Sequence, residues 1–124
     1  MAYTIKQVSE RTSLSPHTLR YYEKEGLLPL VERSENGRRR FSDEDLEWLG
    51  LICCLKSTGM PIRQIRSFVE LSKLGDQTLP QRCEILKQHK AHVKEQIRIM
   101  KKHLEKVTRK IEFFTAQYEK SAGV

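Results

Sequence analysis

Ser15-Pro16-His17-Thr18-Leu19-Arg20-Tyr21-Tyr22-Glu23-Lys24-Glu25-Gly26 reads as one helix with both of its ends marked. Ser15 supplies an N-cap oxygen, Pro16 takes the first helical position where its missing N–H costs nothing, and Gly26 closes the helix in a left-handed cap. Leu19 and one of the two tyrosines, Tyr21 or Tyr22, face inward. The residues before this stretch complete a motif. Thr4 caps a short helix over Ile5 to Arg11, and Thr12-Ser13-Leu14-Ser15 makes a tight polar turn around a single apolar plug, Leu14. Two short helices joined by such a turn form a helix-turn-helix. His17, Thr18, Arg20 and one tyrosine are left to project outward near the start of the second helix, where a recognition helix meets base edges and phosphates.

Working outward, Leu30 to Glu32 and Arg39 to Phe41 read as two short strands around Glu35-Asn36-Gly37, a turn signal because Asn-Gly tolerates positive φ. This hairpin is a small wing. Arg33 and the run Arg38-Arg39-Arg40 cluster on it. Alternation along a strand puts Arg38 and Arg40 on one face and Arg39 on the other, so not all three can touch one partner. A charged edge that discourages sheet aggregation explains one or two of them; it does not explain why the cluster adjoins a helix-turn-helix. Ser42 then caps a helix over Asp43 to Thr58, with Asp43, Glu44 and Asp45 near its positive end, and Gly59 stops it. Another helix runs from about Pro61 to Leu74 and ends at Gly75.

The last segment is the most regular. Leu79, Cys83, Leu86, Lys90, Val93, Ile97, Met100, Leu104, Val107, Ile111, Phe114 and Tyr118 recur at alternating spacings of four and three. A 3.5-residue repeat held this long specifies a coiled-coil helix, roughly 60 Å in length at 1.5 Å per residue. Leu86, Val93, Ile97, Met100, Leu104, Val107, Ile111 and Phe114 form its seam, and no turn signal interrupts it to allow an intramolecular hairpin. Such a stripe calls for a second copy of the chain. Lys90, the polar member, is expected to snorkel outward. The expected organisation is a DNA-binding head over residues 1–75, a dimerisation helix over 76–120 and a short tail over 121–124.

The 124 residues carry a formal net charge of +7, which favours a polyanionic partner, either nucleic acid or an acidic membrane surface. The longest apolar run, Leu49 to Leu55, is far short of the ~20 residues needed to span a bilayer. The N-terminus lacks the basic-then-apolar layout of a signal peptide. A soluble, cytoplasmic protein is therefore expected. The three cysteines, Cys53, Cys54 and Cys83, are expected as reduced thiols, and the four histidines are scattered. No metal site, cofactor or catalytic constellation is expected, so an enzyme has no support.

Leu19-Arg-Tyr-Tyr-Glu-Lys-Glu-Gly-Leu-Leu-Pro29, Asn36-Gly-Arg-Arg-Arg-Phe-Ser-Asp43 and Gly59-Met-Pro-Ile-Arg-Gln-Ile65 resemble the mercury-resistance regulator (MerR) family of bacterial transcription factors. The resemblance spans essentially the whole chain. It implies a mainly α fold, with a winged helix-turn-helix head followed by a long antiparallel coiled-coil dimerisation helix. The DNA-contacting residues it implies, together with those read above, are Ser15, His17, Thr18, Arg20, Tyr21, Tyr22, Arg33, Arg38, Arg39 and Arg63. It also implies a homodimer on double-stranded promoter DNA that bends and untwists an overlong spacer, reaching RNA polymerase indirectly through that distortion. No membrane partner is implied.

Ending at Val124, the chain is expected to hold no effector domain of the drug-binding kind. The loop cysteines of metal-sensing relatives have no counterpart, and Cys83 has no companions. Trp48-Leu-Gly-Leu-Ile-Cys-Cys-Leu-Lys-Ser-Thr-Gly-Met60 resembles a subgroup with one cysteine in this helix, associated with aldehyde or electrophile stress, and Cys54 matches that position. Lys56 or Arg63 could lower the pKa of such a thiol. The alternative is packing, since a free cysteine among Leu51, Ile52 and Leu55 behaves as a small hydrophobe. A rival from another class is a basic coiled-coil scaffold without specific DNA readout. The wing arginines discriminate, because a scaffold has no need of them beside a helix-turn-helix.

Overall fold

The computed structural model describes residues 2–28 and 31–123. The elements in order are β1 (Ala2–Tyr3), α1 (Ile5–Thr12), α2 (Pro16–Lys24), β2 (Glu32–Arg33), β3 (Arg39–Ser42), α3 (Asp43–Ser57), α4 (Ile62–Lys73), a single 3₁₀ turn (Asp76–Thr78) and α5 (Leu79–Ser121). The fold is mainly α, as expected. Contacts divide the chain into two compact units, residues 1–85 and 86–124.

Helix starts follow the capping residues. Thr4 Oγ1 accepts from the Gln7 amide at 3.2 Å while the Gln7 side chain accepts from the Thr4 amide at 2.9 Å, a reciprocal capping box. Ser42 and Asp45 repeat the arrangement at the head of α3, at 3.1 and 2.8 Å. Ser15 Oγ accepts from the Thr18 amide at 3.1 Å. At the end of α2, Gly26 adopts φ +74°, the Leu27 amide reaches back to the Tyr22 carbonyl at 2.9 Å, and the Gly26 amide reaches the Glu23 carbonyl at 3.1 Å. A side chain at Gly26 would be strained in that left-handed backbone.

The sheet has one strand more than the sequence pattern suggested. β3 lies in the middle, pairing antiparallel with β1 (Tyr3 opposite Phe41) and with β2 (Arg33 opposite Arg39). Of the expected first strand of the wing, Leu30 lies outside the described residues, and pairing is seen at Glu32–Arg33. Along β3 the alternation holds: Phe41 is buried and Arg39 half-buried, whereas Arg40 is exposed.

The core of the first unit is built from Val8 of α1, Leu19 of α2, Phe41 of β3, Leu49 and Ile52 of α3, and Ile65 and Val69 of α4. Each such side chain fully buried contributes about 1.5–3 kcal/mol, and α2 enters this core through Leu19. Residues beyond Leu86 belong to α5. Leu86 and Val93 are half-buried, while Ile97, Met100, Leu104, Val107, Ile111 and Phe114 are exposed along it. Glu95 pairs with Arg98 and Glu105 with Arg109 on its polar faces.

Candidate nucleic-acid interface

The turn between α1 and α2 holds Ser13 at φ 62°, a left-handed conformation stabilised by its amide bond to the Ser9 carbonyl at 2.9 Å. This reversal sets α2 with Leu19 and Tyr22 buried and with His17, Arg20, Tyr21 and Lys24 exposed. The choice left open between the tyrosines is thereby settled: Tyr22 is 5% exposed and Tyr21 40%. Lys56 of α3 lies over both rings, its ammonium 5.9 Å from the Tyr21 centroid and 5.0 Å from that of Tyr22. A cation facing an aromatic ring at this range is attracted by the ring's negative face. Ser15 and Thr18 engage one another, Ser15 Oγ donating to Thr18 Oγ1 at 3.0 Å. His17 and Arg20 carry no ion pair or side-chain hydrogen bond among the described residues.

On the wing the arginines divide into two pairs. Arg39 Nε donates to both carboxylate oxygens of Glu23, at 3.1 and 3.2 Å. Arg33 Nη2 reaches the same carboxylate at 3.2 Å, and its Nη1 closes the hairpin by donating to the Gly37 carbonyl at 3.1 Å. Arg38 and Arg40 are exposed and carry no such partner among the described residues. Glu23 thus ties the wing to the recognition helix. Sequence reasoning singled out neither Glu23 nor the exposed Lys24, and it named Arg40 in the wing cluster without counting it among the DNA contacts.

The far end of α2 is held from the other side. Arg66 of α4 donates through Nε to the Glu25 carbonyl at 2.8 Å and pairs through Nη2 with the Glu25 carboxylate at 2.8 Å. Trp48 of α3 donates from its indole nitrogen to the Leu27 carbonyl at 3.3 Å while its ring stacks on Phe68 of α4 at 5.8 Å. Arg63 is exposed on α4 one turn before Arg66, beside a shallow groove lined also by Ser67, Glu70, Leu71 and Leu74.

Cys54 is exposed, Cys53 half-buried and Cys83 exposed. Burial pushes the Cys53 thiol up, and the nearby Lys56 charge opposes that shift. No cluster of three or more His, Cys, Asp or Glu suited to a metal ion occurs among the described residues. No helix among them is long and apolar enough to cross a membrane.

Residues 3–71 match the family described as MerR HTH family regulatory protein, and residues 46–109 match the one described as MerR, DNA binding. The chain belongs to the MerR family of DNA-binding transcriptional regulators. A helix-turn-helix-type transcriptional regulator of Haemophilus influenzae is 43% identical to it over 114 residues, 92% of this chain and 84% of that one. The crystal structure of HiNmlR, a MerR-family regulator lacking the sensor domain and bound to promoter DNA, shares 43% identity and a TM-score of 0.87, covering 93% of this chain and 91% of that one. A MerR-family transcriptional regulator from Bacillus thuringiensis shares 43% identity and a TM-score of 0.83, over 90% of this chain and 97% of that one. As a MerR-family protein the chain is a DNA-binding transcriptional regulator and not an enzyme.

Proposed function

We propose that this regulator acts as a homodimer on a pseudo-palindromic promoter operator, one recognition helix to each half-site, and distorts the duplex. The observation carrying this reading is the exposed row of His17, Arg20 and Tyr21 on α2, capped by Ser15 and Thr18 and flanked by the wing. Side chains near the start of such a helix reach base edges in the major groove. Arg38 and Arg63 serve as phosphate contacts, with Arg33 and Arg39 adding to them as far as Glu23 allows. Tyr22 takes part by seating the helix, since its ring is buried. Bending and untwisting a spacer stores several kcal/mol in the duplex, and releasing or using that strain is how polymerase would be reached without direct contact.

Dimerisation is supported by the stripe on α5, where Met100 is 68% and Leu104 65% exposed. Apolar side chains at a seam spacing gain about 25 cal/mol per Å² when a second copy covers them. An antiparallel pairing of the α5 helices is the arrangement proposed. Regulation is proposed to run through Cys54, whose exposure on α3 suits reaction with an aldehyde or another electrophile. The test is direct. Sedimentation should give a dimer, and a promoter duplex should bind at one dimer per site with altered mobility in a bend-position assay. A monomer at micromolar concentration, or equal affinity for every duplex, would overturn the reading.

A further inference from the structure

We infer that Glu23 is a specificity-determining residue that keeps two wing cations from the phosphates of non-cognate DNA; this rests on the DNA-binding reading above. Glu23 follows the buried Tyr22 on α2, so its backbone cannot move without disturbing the core. Its single negative charge is shared by Arg39, which it holds through both carboxylate oxygens, and by Arg33. Arg33 is also fixed from behind by the Gly37 carbonyl. Among the four wing arginines, Arg38 and Arg40 are therefore the pair presented without an acidic partner among the described residues.

Non-specific binding comes from phosphate charge alone, whereas specific binding adds base contacts that do not depend on the wing. A carboxylate that competes with phosphate for Arg33 and Arg39 weakens the first kind of binding proportionally more than the second. The hairpin is kept in place on α2 by the same bonds, so the geometry of the head does not depend on DNA to assemble it. Discrimination therefore improves at the expense of raw affinity.

The experiment uses the full chain, a labelled random-sequence duplex and the duplex enriched from a random pool on the wild-type protein. Glu23→Gln keeps the size and one acceptor oxygen and removes the charge. It should tighten binding to the random duplex about tenfold per head at 0.1 M salt, and steepen the log–log salt slope by about 1 per head. The enriched duplex should gain less, so the specificity ratio falls. Arg39→Gln supplies the second arm: it should cost little random-duplex affinity in the wild-type background and much more in the Glu23→Gln background. Additive effects in that cycle, an unchanged salt slope, or a parallel loss on both duplexes would overturn the inference, leaving Glu23 as an architectural tie. Failure of the wild-type chain to enrich any sequence would instead refute the DNA-binding reading itself.

Discussion

Replacing Trp48, the only tryptophan, by Phe tests how the end of the recognition helix is held. The indole donates to the carbonyl of Leu27, a residue with no solvent exposure, at 3.3 Å. Phe removes the donor and leaves that acceptor without it, at a cost of about 1 kcal/mol for a bond of this length, the low end of the range for an orphaned buried group. The smaller ring also forfeits roughly 1 kcal/mol of contact, since Trp48 is half-buried and only part of its second ring is removed from water. The sum is about 2 kcal/mol, or roughly thirtyfold in the folded-to-unfolded ratio. For a unit of this size it corresponds to a fall in melting temperature of about 8–16 °C. Urea unfolding followed by far-ultraviolet circular dichroism should show a lower midpoint with an unchanged slope. Trp48→Leu should cost about 1 kcal/mol more, because it also abolishes the stack on Phe68. Amide exchange supplies the local signature. The Leu27 amide, bonded to the Tyr22 carbonyl at 2.9 Å, should lose more protection than the core of α4. A midpoint equal to wild type, or protection lost evenly everywhere, would refute the idea that α3 anchors this end of α2.

Arg20→Ala should cost about 1–3 kcal/mol against the enriched duplex and relax selectivity at one base pair if Arg20 reads a guanine; a loss uniform over all sequences would make it a phosphate clamp. Thiol labelling should proceed fastest at the exposed Cys54 and Cys83 and slowest at Cys53, whose thiol burial pushes up; mass mapping showing Cys53 modified first would contradict this. Cys54→Ser should leave operator affinity near wild type while abolishing an aldehyde response in a reporter assay, and a retained response would remove Cys54 from the mechanism. Tyr3→Phe should destabilise the protein at neutral pH. The Tyr3 hydroxyl donates to Asp43 at 2.7 Å and holds its carboxyl below the usual value. The charged Asp43 therefore stabilises the fold above its ordinary pKa, and that contribution fades as pH falls through its lowered folded value. Phe keeps the ring under Arg11 at 4.7 Å, so the two proteins should converge in acid; a gap in urea midpoint that persists there would assign the loss to packing instead.

Where a feature rests on neighbours within four residues, it was legible. Thr4, Ser15 and Ser42 each cap the helix expected of them, because the bond they make is decided by local backbone geometry. The same holds for the hairpin turn, where the Gly37 amide meets the Ser34 carbonyl at 2.9 Å. β1 was missed because two residues carry no periodicity; it forms only because β3 offers a second edge to Ala2 and Tyr3. Tyr21 and Tyr22 could not be separated in sequence, since adjacent helical positions lie ~100° apart and either could border the core. What separates them is tertiary packing, which leaves Tyr22 5% and Tyr21 40% exposed.

The wing shows the same limit acting on charge. Four arginines stand within eight residues, and in sequence three of them, Arg33, Arg38 and Arg39, are expected as contacts to a polyanion, in keeping with the net charge of +7. Alternation along β3 correctly turned Arg39 away from Arg40, but it could not say what Arg39 would meet. The answer is a carboxylate sixteen residues earlier, on α2. A cation held by such a partner must exchange one anion for another to bind DNA, and the gain from that exchange is a difference of two similar terms rather than a full ion pair. The number of lysines and arginines in a DNA-binding head therefore sets an upper bound on its salt dependence. The measured slope should fall short of that bound by about 1 per head, the single charge that Glu23 sets against Arg33 and Arg39.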